Sequence, residues 1–123
     1  MQPVSDDEFQ RLIDEAFEKL PEEHRDHISN VAILYADEPT PEQREKLSLR
    51  NDQTLFGLYE GIPLSRRQGM STTLPDKITL FKLPLTQASF DLDDLREQVY
   101  HTLWHEVAHY YGLDHGQIGR LEQ

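Results

Sequence analysis

His105-Glu106-Val107-Ala108-His109-Tyr110-Tyr111-Gly112-Leu113-Asp114-His115 is the stretch that organises the rest of the chain. On a helix, residues four apart stand one turn apart on the same face, about 6 Å along the axis. His105 and His109 can therefore present two imidazole nitrogens to one ion. Glu106 is rotated by about 100° from His105. It does not align with the pair, but its carboxylate can reach a water held beside them. Gly112 is placed to end the helix in a left-handed conformation, which turns the chain back and lets His115 return as a third ligand. Asp114 is the alternative third ligand, since carboxylates also bind zinc. Three protein ligands with one open position is the arrangement of a catalytic zinc ion, whereas four closed ligands would make a structural one. His105-Glu106-x-x-His109 is the H-E-x-x-H pattern, in which the glutamate serves as general base.

The helix carrying this stretch starts at Asp91, an N-cap, with Asp93 and Asp94 at its positive end. Leu92, Leu95, Val99, Leu103, Val107 and Tyr110 share one apolar face. Trp104, Tyr110 and Tyr111 read as packing residues. His101 lies about 12 Å from His109 along the axis, too far to share an ion, and reads as a rim residue. His24 and His27 fall in an acidic segment and read as surface residues.

Upstream, Ser5 caps a first helix and Glu8 occupies the capping-box position. Phe9, Leu12, Ile13, Ala16, Phe17 and Leu20 form its stripe, and Pro21 stops it. A short helical turn is expected over 22–28. Val31-Ala32-Ile33-Leu34-Tyr35 reads as a strand covered on both faces. Thr40, Pro41 and Gln43 spell a short capped helix. Residues 54–59 read as a second strand. Ser65 to Thr73, with Arg66 and Arg67, reads as a loop, and Leu74-Pro75-Asp76 as a turn. Residues 77–82 read as a third strand whose period of two predicts one buried face. The expectation is an α+β fold: one domain over residues 1–123, a small mixed sheet packed against helices, with the metal-ligand helix last.

Composition bounds the function. The chain has 123 residues, no cysteine and a formal net charge of −11. Any zinc site must use histidine and carboxylate. The acidity makes nucleic acid a poor partner, and an anionic membrane surface is disfavoured for the same reason. No apolar run approaches the length needed to span a bilayer, and the acidic first residues lack the apolar core of a secretory signal. A cytoplasmic protein is expected. The sequence leaves the oligomeric state open.

The chain resembles the small bacterial zincin-like metallopeptidases. Gly57-Leu58-Tyr59-Glu60-Gly61-Ile62-Pro63-Leu64 resembles that family's strand-and-turn block. Leu74-Pro75-Asp76-Lys77-Ile78-Thr79-Leu80-Phe81 resembles its next strand, and Leu95-Arg96-Glu97 through Gly112 its active-site helix. The resemblance implies a zincin-like α+β fold and a zinc peptidase, with His105 and His109 as metal ligands and Glu106 as the catalytic glutamate. The third-ligand position in the family is often an acid, whereas His115 stands here. That spacing approaches the metzincin pattern, but no methionine follows His115 to form a methionine turn, and Met70 precedes the helix.

Together these readings predict Zn²⁺ held by His105, His109 and His115, with Glu106 as general base for hydrolysis of a peptide or protein substrate. An extended substrate would pair with a sheet edge near Leu80 or Tyr59. The competing reading is a metal-binding module that recognises a peptide or handles metal without turnover.

Overall fold

The computed structural model describes residues 1–26, 28, 31–47, 55–61 and 76–112. The elements run α1 (Asp6–Lys19), α2 (Glu22–Asp26), β1 (Val31–Ala36), α3 (Pro41–Lys46), β2 (Gly57–Glu60), β3 (Asp76–Phe81), α4 (Lys82–Gln87) and α5 (Leu92–Tyr111). The architecture is the expected α+β one. The strand order is β1-β3-β2, with β1 parallel and β2 antiparallel to β3.

Local chemistry explains the helix ends. The Ser5 hydroxyl accepts from the Glu8 N–H at 3.1 Å, so the first half of the expected capping box is present. The Glu8 carboxylate pairs with Arg11 at 2.6 Å. At α3 both halves form: Thr40 accepts from the Gln43 N–H, and the Gln43 side chain accepts from the Thr40 N–H. Asp91 caps α5 by accepting from the Asp94 N–H, and Gly112 ends it at φ 79°, in the left-handed region. All these starts and stops were legible because each depends on residues within one helical turn.

The core lies between α1, α5 and the sheet. Phe9, Leu12, Ile13 and Ala16 of α1 meet Leu95, Val99, Leu103 and Val107 of α5, with Ile78 and Leu80 of β3 beneath them. Trp104 and Tyr110 are buried as expected of packing residues.

Two strand readings need correction. Among the described residues β1 ends the sheet, and Leu34 is 45 % exposed, so one face of the run is open. A continuous apolar run has no period that distinguishes an edge from a centre. β3 is the central strand, and five of its six residues are buried. Its alternation of Ile78 and Leu80 with Lys77 and Thr79 therefore does not mark one wet face, because Thr79 and Phe81 are buried on the opposite side. A central strand also has no open edge, so substrate pairing at Leu80 is excluded. The second strand is shorter than expected, starting at Gly57, and α4 had no sequence signal beyond Pro84 near its start.

Gly57 is a point of close packing between the sheet and α5. A Cβ there would sit 2.6 Å from Thr102 Cγ2 and 3.3 Å from Glu106 Cγ. Glycine inside a strand often marks such an approach. Gly57→Ala is expected to destabilise the protein by about 1–3 kcal/mol, read as a lower urea midpoint, as overpacked cores usually are. Adding Thr102→Ala should recover most of that loss, because it removes the nearest colliding methyl group.

Candidate metal centre

α5 sets the site. His105 and His109 lie one turn apart, and their Nε2 atoms are 3.0 Å apart, within hydrogen-bonding distance. Two nitrogens on one tetrahedral zinc, each about 2.0–2.1 Å from it, stand about 3.3 Å apart. The pair is thus within a few tenths of an ångström of that spacing. Glu106 completes a group whose ligand atoms all lie within 4.8 Å of one another. Two imidazoles and a carboxylate, without a thiolate, suit a divalent transition metal. The donor set fits a metal ion by both chemistry and spacing.

Glu106 differs from the histidines in its surroundings. It is only 8 % exposed, while both histidines are half-buried. One carboxylate oxygen, Oε1, accepts from the Tyr59 N–H on β2 at 2.9 Å. Burial pushes the Glu106 carboxyl from 4.5 up to about 7, against the downward pull of that N–H. Desolvation outweighs one hydrogen bond because the charged form loses water on most of its surface.

β2 supplies the opposite wall. Phe81 N donates to Phe56 O, so Phe56 and Phe81 form a hydrogen-bonded pair. Alternation along an antiparallel ladder then turns the N–H groups of Gly57 and Tyr59 away from β3. The Tyr59 N–H therefore faces outward, where Glu106 meets it. A cleft of about 450 Å³ runs along this junction, lined by Phe56, Gly57, His101, Thr102, His105 and Glu106. His101 is 55 % exposed at its rim and close to Glu97, which agrees with its reading as a rim residue. Another cleft, about 420 Å³, separates α1 from β1. It has Asp14 and Glu18 among its walls and no histidine, so the metal chemistry belongs to the first.

Of the sequence-derived site residues, the structure brings His105, Glu106 and His109 together. His115 and its alternative Asp114 lie outside the described residues, as do His27, Arg66, Arg67 and Met70. His24 is not the surface residue expected. Its side chain is 20 % exposed, and its ring sits 5.2 Å from both Trp104 and Tyr111. An acidic five-residue helix looks solvated in isolation, but α2 folds onto the end of α5, and Tyr111 donates its hydroxyl to the His24 carbonyl. Sequence reasoning did not find Gly57 or the Tyr59 N–H as parts of the site. The strand-interior glycine was the available signal for the first. A backbone donor has no signature of residue type at all.

A small α+β protein carrying two histidines and a glutamate on its final described helix, against an antiparallel edge strand, falls within a known class. The family model for zincin-like metallopeptidases matches residues 28–123, and the chain belongs to that family. The fold is also similar to that of a conserved hypothetical protein from T. thermophilus, with a TM-score of 0.56 and 19 % identity. That alignment covers 94 % of this chain and 99 % of the other, and it speaks to fold alone. No curated protein matches the chain.

The raised Glu106 pKa has a consequence for stability. The folded protein holds the Glu106 proton up to about pH 7, whereas the unfolded chain releases it near 4.5. The stabilising contribution is therefore complete below 4.5 and is lost as pH rises through 7, amounting to roughly 3 kcal/mol. Glu106→Gln should remove that loss. In chelator, the variant is expected to melt above the wild type at pH 8, with the gap closing by pH 5, as read by thermal denaturation.

Proposed function

We propose that the protein is a zinc peptidase that hydrolyses peptide bonds in extended substrates. The observation that carries this reading is a buried carboxyl, anchored by a backbone N–H, beside two imidazoles at metal-ligand spacing. A module that only bound metal would not require a carboxylate at position 106 beside the histidine pair.

In this reading His105 and His109 hold the ion, with His115 as third ligand and Asp114 as its alternative. Zinc bound there would supply Lewis acidity for a carbonyl oxygen and lower the pKa of a water from 15.7 to about 7. Glu106 takes a proton from the attacking water and returns it to the departing amine. A carboxylate held beside the ion can make both transfers, accepting the proton in one step and donating it in the next. The Tyr59 N–H orients the carboxylate while leaving its second oxygen, Oε2, for the water. On the outer side of β2 the Gly57 N–H, which Glu106 does not take, offers an extended chain a main-chain hydrogen bond beside the ligand helix. Leu80, on the central strand, takes no part in this pairing. The overall charge of −11 disfavours anionic substrates.

The decisive experiment digests a peptide library with zinc-loaded protein. Wild type is expected to cleave. Glu106→Ala should retain zinc by calorimetry yet lose at least about a hundredfold in kcat, the lower range for removal of a general base. His105→Ala and His109→Ala should each lose zinc binding. Cleavage by Glu106→Ala at the wild-type rate would refute the assignment. Peptide binding without cleavage by the wild type would favour the non-catalytic module.

A further inference from the structure

We propose that Asp76 is a positioning residue: through the Tyr59 side chain it fixes the backbone N–H that holds Glu106. The kinetic part of this proposal rests on the peptidase reading; the geometric part does not.

Asp76 opens β3 and is 5 % exposed. The Tyr59 hydroxyl donates to its Oδ2 at 2.7 Å. The register pairs Tyr59 with Ile78, so Asp76 is its diagonal neighbour on the same face of the sheet. That face is the one toward α5, because Gly57, two residues before Tyr59, abuts Thr102 and Glu106. Tyr110 of α5 meets the Tyr59 ring edge-on at 6.2 Å. Tyr59 is therefore gripped along its ring by α5 and at its tip by β3, while its N–H points outward to Glu106.

The surrounding sequence makes room for this arrangement. A Cβ at Gly61 would lie 2.4 Å from the Asp76 carboxyl carbon and 2.5 Å from Oδ1. Any other residue at 61 would push the carboxyl out of place. The carboxyl accepts from the Tyr59 hydroxyl and so ties the tip of that side chain to the start of β3. Tying the side chain limits how far the Tyr59 backbone, and with it the N–H, can move. Two buried acids, Asp76 and Glu106, are thus joined through one tyrosine, by its hydroxyl and by its amide.

The test separates this coupling from general loosening. Hydrogen exchange is measured residue by residue on the metal-free protein, and kinetics on the zinc-loaded one. Tyr59→Phe removes a single oxygen and keeps the ring, so the fold is retained; Asp76→Ala and Asp76→Asn accompany it. In Tyr59→Phe and Asp76→Ala, the amide of residue 59 should exchange at least about tenfold faster than in wild type. The amides of Leu58 and Glu60, which bond to β3, should keep their protection. Asp76→Asn retains an acceptor for the hydroxyl and should stay within about threefold of wild type. In kinetics, Tyr59→Phe should lower kcat about tenfold with KM changed by less than about twofold. Unchanged exchange at residue 59 in Tyr59→Phe would overturn the proposal, as would equal loss of protection across Leu58, residue 59 and Glu60. If wild type cleaves no peptide, the peptidase reading fails, and the exchange data alone decide the role of Asp76.

Discussion

The close approach of β2 to α5 is the contact on which the candidate site depends. It exists because residue 57 has no side chain. A Cβ there would meet Thr102 Cγ2 at 2.6 Å and Glu106 Cγ at 3.3 Å, so either those side chains or the strand that sets the Tyr59 N–H at 2.9 Å from Glu106 would have to shift. The same approach shuts water away from Glu106, and this exclusion raises its pKa to about 7. One backbone-to-helix contact thus determines position, burial and proton affinity together.

The three site residues on α5 are treated unequally by this packing. His105 and His109 remain half-buried, so their rings stay accessible from the cleft side of the helix. Glu106 turns under β2. The 100° offset between neighbouring helical positions makes this division possible, because one helix can present two imidazoles on one side and a carboxyl to the strand. The helix is in turn held by Leu95, Val99, Leu103 and Val107 against α1 and β3, so the site sits on a rigid element.

Where the sequence was legible, short-range chemistry was responsible. Ser5, Thr40 and Asp91 announced helix starts, and Gly112 announced a helix end, because each acts on groups within a turn. The apolar stripe of α5 marked its buried face for the same reason. The strands were less legible. β1 looked fully covered and proved open on one face, while β3 looked half-covered and proved central. Hydrophobic pattern reports what a strand can bury, and neighbours from distant parts of the chain decide what it does bury. His24 followed the same rule, since its acidic surroundings in sequence gave no sign of Trp104 and Tyr111 beside it.

The sequence by itself determined the zincin-like class through its motifs, and helical periodicity set the pairing of His105 with His109 and the separate direction of Glu106. The tertiary structure decided what Glu106 experiences. Its burial, its Tyr59 partner and the anchoring of Tyr59 by Asp76 join residues 17 to 47 positions apart in the chain. Such contacts arise from strand register and from the space left at Gly57 and Gly61, and no local pattern encodes them.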